Sequence, residues 1–307
     1  MSLAHIATDN RTAPLDYAPG APVPWWGKML AKLVLAHFPI GYRVWNRLGL
    51  FRHGEMDRNL PRVLGGWDGM RGEYDRLSGQ PLRSVIEIGP GDSVGRALCA
   101  TADGVEQMWL IDAGDFATPD PAHYRAVADA LAAAGKTLPS LDGAVSRTDI
   151  LSRCGAAYLT QGLASFAAIP DGSVDFIFSD VVLEHLPRAE FPRFMNEMVR
   201  VLRPGGIAYH SVDLHDHLGG ALESLRFPMW FWEHPAVASS GFYTNRLGMG
   251  DIRRMAQQAG FDTAIPWVRR WPRLPTPRPA LHRDFQGIPD DELLVCCFGI
   301  VMQKPGP

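Results

Sequence analysis

The stretch that most constrains the fold is Ser84-Val85-Ile86-Glu87-Ile88-Gly89-Pro90-Gly91-Asp92-Ser93. Val85, Ile86 and Ile88 form the short apolar run that a buried strand requires, with Glu87 as its single charge. A Gly-x-Gly turn follows, and Asp92 or Ser93 is then placed to cap a helix running from Val94 to Ala102. Glycines at a strand-to-helix turn let backbone amides approach a ligand that a Cβ would hold off. About twenty residues on, Val105 to Ile111 read as a second apolar strand, ending at Asp112. In doubly wound folds an acid at that place accepts hydrogen bonds from ribose hydroxyls.

The dinucleotide fingerprint asks for a third glycine three residues after the second. Val94 holds that position and Gly95 comes one place late, which counts against a pyrophosphate. An acid, a Gly-x-Gly and a distant second acid suit a cofactor with an amino-acid end and a ribose but no phosphates. S-adenosylmethionine meets that description. Gly-x-Gly alone is equally a tight turn with no ligand, so the downstream segments decide.

Those segments alternate. A helix over 122–134 closes at Gly135, a second covers 147–153, and a third strand runs over 156–160. After the turn Ile169-Pro170-Asp171-Gly172-Ser173, a fourth strand through Val174, Phe176, Ile177 and Phe178 ends at Ser179-Asp180. A helix over 189–202 stops at Pro204-Gly205-Gly206, and strand five follows over 207–214. A helix over 251–258 and strands near 263–270 and 293–302 complete the pattern. Strands alternating with helices predict an α/β fold around a mostly parallel sheet, with ligands at the strands' carboxyl ends.

Glu87-Ile88-Gly89-Pro90-Gly91 and Asp112 resemble the cofactor motifs of class I S-adenosylmethionine-dependent methyltransferases. So do Ile169 to Asp175, Val182-Leu183-Glu184-His185-Leu186, and Val201-Leu202-Arg203-Pro204-Gly205-Gly206. The resemblance covers roughly 84–212, and its specificity lies in the order and spacing of four motifs. It implies a Rossmann-like seven-stranded sheet whose antiparallel last strand inserts between its neighbours. More narrowly, Gly89 to Ser93, Ile111 to Ala117 and Tyr243 to Leu247 resemble a bacterial subgroup linked with surface-glycan or secondary-metabolite pathways. By this resemblance Glu87 holds the methionine amino group directly or through water. Gly89, Gly91 and Asp92 shape the turn beside the cofactor, and Asp112 binds the ribose. Ser179 and Asp180 lie where the methyl is presented. No acidic adenine contact is evident after strand three, which leaves backbone groups with Leu163 or Phe166.

Methyl transfer from a sulfonium is an in-line displacement, needing alignment, exclusion of water and, for some acceptors, a base. The candidate bases are His210, Asp213, His215 and His217, leaving strand five at the sheet's ligand edge. Histidine titrates near neutrality and a carboxylate can orient it. Asp213, His215 and His217 read equally as a polar turn with Asp216 as cap, or as metal ligands; the reading adopted involves no metal. His185 suits packing at a helix start better than catalysis. Between strand five and the next helix, 218–250 is rich in aromatics, including Phe227, Trp230, Phe231, Trp232 and Phe242. It is expected to cap the acceptor site, with Trp230, Tyr243, Asn245 and Arg246 as acceptor contacts, or to form a small core or homodimer interface.

Composition sets the outer limits. A net charge of -3 over 307 residues gives no electrostatic case for nucleic acid, and the basic stretch 269–283 reads as a solvated loop. Four cysteines show no CxxC spacing, and Cys296 and Cys297 sit in an apolar run as buried free thiols; a reducing cytoplasm is the expectation. Residues 1–24 are expected to be a flexible leader without signal-peptide character, followed by a helical extension over 25–80 and one catalytic domain over 81–303. Trp25, Trp26, Lys28 and Lys32 fit an interfacial membrane helix, but the sparse basic face favours a helix packed on the core. A second apolar face at Tyr42, Val44, Trp45 and Leu48 and a turn at Phe51–Asp57 complete this extension. The expected acceptor is a small molecule, methylated on oxygen or nitrogen. The rival readings are a dinucleotide-dependent enzyme on a related sheet and a non-catalytic cofactor-binding scaffold.

Overall fold

A computed structural model of the chain describes residue 3 and residues 6–12, 24–36 and 60–306. Its strands are β1 (Asp9–Thr12), β2 (Ser84–Ile88), β3 (Gln107–Ile111), β4 (Ala156–Leu159), β5 (Val174–Asp180), β6 (Leu202–Asp213), β7 (Asp262–Arg270) and β8 (Val295–Gln303). The longer helices are α1 (Trp25–Ala36), α2 (Leu60–Leu77), α3 (Arg96–Ala102), α4 (Pro121–Ala133), α5 (Arg147–Arg153), α6 (Phe191–Val201) and α7 (Met249–Gln258). All the strands join one sheet in the order β1-β7-β8-β6-β5-β2-β3-β4. β8 is antiparallel to both β6 and β7, while the remaining pairs are parallel.

The apolar runs fill both faces of the sheet, as a parallel sheet flanked by helices requires. Val85, Phe176 and Phe178 point into one core with Leu98, Tyr124 and Trp67. Ile86, Ile88 and Ile177 point into the other with Met195, Met198 and Ile300. This period-two division fixes the register, because a one-residue slip would exchange the two faces.

The sheet has eight strands rather than the seven expected. The extra strand, β1, lies within the segment read as a flexible leader, and pairs with β7 from Asp9↔Trp267 to Thr12↔Arg270. All four of its residues are exposed, so main-chain bonds rather than apolar burial hold it. Thr8 adds a hydroxyl bond of 2.8 Å to the Ile265 carbonyl. The helix after the glycine turn also starts later than expected. α3 begins at Arg96 with Gly95 as a cap lacking a side chain, and Ser93 Oγ instead accepts from Gly95 N at 3.1 Å.

α1 is packed on the insertion. Trp25, Met29 and Leu33 meet the cluster of Leu218, Trp232, Val237, Phe242 and Tyr243. Trp25 sets its ring edge on Phe227 at 6.0 Å, beneath the Arg226 guanidinium. Trp26, Leu30 and Val34 lie on the opposite face and are more than half exposed. Among the described residues no helix is long and apolar enough to cross a membrane. The face expected at Tyr42 to Leu48 and the turn at Phe51–Asp57 lie outside the described residues.

Candidate functional site

The carboxyl ends of β2 and β3 are tied together by the glycine turn. Gly89 and Gly91 have φ of +69° and +67°, the left-handed region in which a Cβ is strained. A Cβ on Gly89 would also lie 2.6 Å from a methyl of Val182. Asp112 spans the junction: one carboxylate oxygen accepts from Gly91 N at 3.0 Å and the other from Ala113 N at 2.7 Å. Burial pushes its carboxyl up to about 6, even against these two backbone donors. Asp92 is buried behind the turn, where its carbonyl accepts from Thr118 N at 2.9 Å.

Glu87 sits deeper than the sequence suggests. It is 1% exposed and ion-paired with the buried Arg96. Its second oxygen and Arg96 Nε are both buried without a partner. Burial drives the Glu87 carboxyl upward, and the Arg96 guanidinium draws it back. Arg96 needs Gly66 on α2, where a Cβ would come within 2.7 Å of the guanidinium. The sequence reading missed Arg96; its only signal was a cation in the first turn of the helix that follows an in-strand acid.

The next turn, after β5, belongs to the same edge. Asp180 is exposed and accepts the Ser211 hydroxyl. Val181 has φ +59°, an uncommon backbone for a β-branched residue, and its N–H reaches the Ser211 carbonyl at 3.1 Å. Ser179 points inward, its hydroxyl 2.7 Å from His210 Nδ1, and both residues are sealed from solvent. Burial takes the His210 imidazole down to about 3, and its Nε2 has no partner. His210 therefore drops out of the pool of bases, because its ring is sealed from solvent and does not reach the cavity wall. Phe166 likewise leaves the adenine surface: it is fully buried, edge-on to Phe194 at 5.6 Å, whereas Leu163 stays half-buried.

Beyond this turn lies a cavity of about 310 Å³, walled by Glu184, Asp213, Leu225, Asn245, Arg246 and Val295. The segment 180–185 thus runs from the Gly89 contact to the cavity wall. Glu184 was not singled out from the sequence. It is buried, one of its oxygens has no partner, and burial holds its carboxyl well above the usual range. Asn245 anchors this segment, donating from Nδ2 to the carbonyls of Leu183 (2.7 Å) and Leu186 (3.0 Å). Arg246, with φ +57°, lies between the rings of Trp232 and Phe285 and donates to the Ser224 and Phe227 carbonyls. The other two expected acceptor contacts do not reach the cavity. Tyr243 is buried in the aromatic cluster, its hydroxyl bonded to Glu233 at 2.9 Å. Trp230 is 76% exposed and points away, since its neighbours Phe231 and Trp232 already fill the cluster.

The histidines after β6 divide. His215 Nδ1 is closely paired with Asp213. Burial opposes the imidazolium, but Asp213 and the Cys297 thiol outweigh it and raise the ring to about 10. His215 is therefore already protonated near neutrality. His217 turns the other way: its Nε2 lies 3.1 Å from His185 Nε2, with the rings stacked 4.8 Å apart. Burial first, then His185 and Lys32, lower it to about 4, so its ring is neutral near pH 7.

Residues 126–210 match the family model described as a methyltransferase domain. An uncharacterized methyltransferase from Mycobacterium sp. (strain JLS) is 41% identical over 78 residues, covering 21% of this chain; the chain thus spans 30% of that relative's length. Among solved structures, an S-adenosylmethionine-dependent methyltransferase from Methanosarcina mazei is 17% identical, with 76% of this chain and 98% of that one covered, at a TM-score of 0.43. Haemonchus contortus phosphoethanolamine N-methyltransferase 2, solved with phosphomonomethylethanolamine and S-adenosylhomocysteine, is 14% identical, with 87% and 61% covered, at 0.44.

Proposed function

From a class I methyltransferase fold, and with S-adenosylmethionine as the cofactor that the family match and strand order call for, we propose that the chain methylates a small molecule. The acceptor atom is an oxygen or nitrogen of a compound held in the cavity beside Glu184 and Asp213. One observation carries this reading: a single segment, 180–185, touches the glycine turn through Val182 and walls the cavity through Glu184. A cavity of about 310 Å³ fits a small metabolite.

The residues present suit the cofactor. Asp112, fixed by two backbone donors, keeps lone pairs for a ribose diol. The left-handed Gly89 and Gly91 give the turn the shape that a close approach of backbone to ligand needs. The buried Glu87 oxygen without a partner leaves an acceptor for an ammonium relayed by water. When bound, the cofactor supplies the electrophilic methyl group. The protein's part is to orient the acceptor and to receive its proton. We assign the proton to His217, neutral and braced on His185, and the orienting contacts to Glu184 and Arg246 in the cavity wall.

The test is calorimetric titration with S-adenosylmethionine, S-adenosylhomocysteine and NAD, then transfer of labelled methyl to a panel of small acceptors. Micromolar binding of the first two, no binding of NAD and transfer to a panel member are the expected results. Binding of NAD alone would overturn the reading. Tight cofactor binding with no transfer to any acceptor would make the chain a scaffold.

A further inference from the structure

β8 does not pair regularly where it begins. Arg269 faces Cys297 and Arg270 faces Val295, so Cys296 is the extra residue of a bulge. In a regular strand, adjacent side chains point to opposite faces. A bulge relaxes that rule and re-aims one of them. The consequence is that Cys296 Sγ, Cys297 Sγ and a ring nitrogen of His215 all lie within 4.8 Å of one another. Asp213 faces Cys297 across the β6–β8 ladder, and its Oδ1 lies 3.7 Å from Cys297 Sγ. His215 Nδ1 lies 3.7 Å from the same sulfur and directly against the Asp213 carboxylate. Trp271 braces the ring edge-on at 4.9 Å.

We propose that His215, Cys296 and Cys297, with Asp213 as the fourth ligand, form a zinc site beside the cavity wall. Zinc bonds of about 2.3 Å to sulfur and 2.0–2.1 Å to nitrogen place tetrahedral ligand atoms about 3.5–3.8 Å apart. The 3.7 Å separations at Cys297 Sγ already match that spacing, and the His215, Cys296 and Cys297 ligand atoms lie within 4.8 Å of one another, so rotation of side chains closes the rest. Asp213, in contact with His215 Nδ1, must swing off that nitrogen to become the fourth ligand. Two sulfurs, an imidazole and a carboxylate form a set that selects zinc over the oxygen-seeking magnesium and calcium. The elements holding them are rigid: β6 and β8 are paired over seven consecutive residue pairs, ending at Asp213↔Cys297. His217 takes no part, being turned toward His185. Because Asp213 and Val295 also line the cavity, the metal would border the acceptor. The zinc site stands apart from the methyltransferase reading, since its readout is metal binding.

The full chain, stripped with a chelator, is titrated with Co2+ and then with Zn2+. One equivalent of Co2+ should produce the near-ultraviolet thiolate band and the strong visible bands of a tetrahedral site, and Zn2+ should erase them. Cys297→Ser and His215→Ala should each lose at least about 100-fold in affinity, beyond what a supporting residue costs, while Cys99→Ser should lose nothing. A second measurement needs no substitution: Zn2+ should shield Cys296 and Cys297 from alkylation and leave the reactivity of Cys99 and Cys154 unchanged. The proposal is overturned if no thiolate band appears, if the band survives in the Cys296→Ser/Cys297→Ser double variant, or if the two thiols join in a disulfide that Zn2+ cannot prevent.

Discussion

Gly89 is under two independent demands, a left-handed backbone and a Val182 methyl where its Cβ would stand. Gly89→Ala should therefore cost about 1–3 kcal/mol, visible as a lower unfolding midpoint, and should weaken cofactor binding as the turn shifts. Asp112 makes a pH-dependent claim. Its carboxyl titrates near 6 in the folded chain against an ordinary 3.8. Its neutral form thus favours the unliganded fold at low pH, and that contribution is lost as pH rises through about 6. Ribose hydroxyls need the charged form, so cofactor affinity should rise across the same window. Calorimetry at pH 5 and pH 7 should show tighter binding at the higher pH, and Asp112→Asn should bind weakly and alike at both. Equal affinities in the unmodified protein would remove Asp112 from the ribose site.

At the scale of elements, the turn after β5 depends on a residue distant in sequence, Asn245. Its amide holds two carbonyls of the segment 183–186, and its Oδ1 accepts from Leu247 N at 3.0 Å. Asn245→Ala leaves these groups buried and unpaired, at a cost of about 3 kcal/mol. Turnover and acceptor KM should worsen while cofactor affinity stays within about twofold, because the glycine turn is anchored elsewhere. What sequence made legible follows the same division. Local features came through: the glycine turn, Asp112 at a strand end, and strands marked by uninterrupted apolar runs. β1 did not, because Asp-Asn-Arg-Thr carries no apolar pattern and is held by main-chain pairing and a few polar side-chain contacts that folding brings near. Nor did Arg96, Glu184 or the Cys296 bulge, whose meaning comes from partners that folding brings near. Trp230 and Phe231 show the limit in another way: composition signalled an aromatic insertion but not which ring would face solvent.

For the whole molecule, buried histidines add to acid sensitivity. His210 and His217 titrate near 3 and 4 when folded, against an ordinary 6.5. The folded chain holds them neutral, while the unfolded chain takes up protons below about 6.5, so acid favours unfolding. Asp112, Glu87 and Glu184, whose carboxyls burial raises, work in the opposite sense, so the histidines' share is read as a difference between variants. His210→Asn should therefore lose less stability in denaturant between pH 6.5 and pH 4 than the unmodified protein does, whatever the substitution does to the absolute level.

The placement of β8 bears on how the chain is made. β8, made after both of its neighbours, is seated between β6 and β7 rather than at the rim. Until it arrives, both neighbours present open edges, of the kind that invite pairing with other chains. Val295 arrives with it, so the cavity wall is completed only once β8 is made. A nascent chain stalled short of Val295 is thus an aggregation hazard with no working pocket, a state in which chaperone cover matters most.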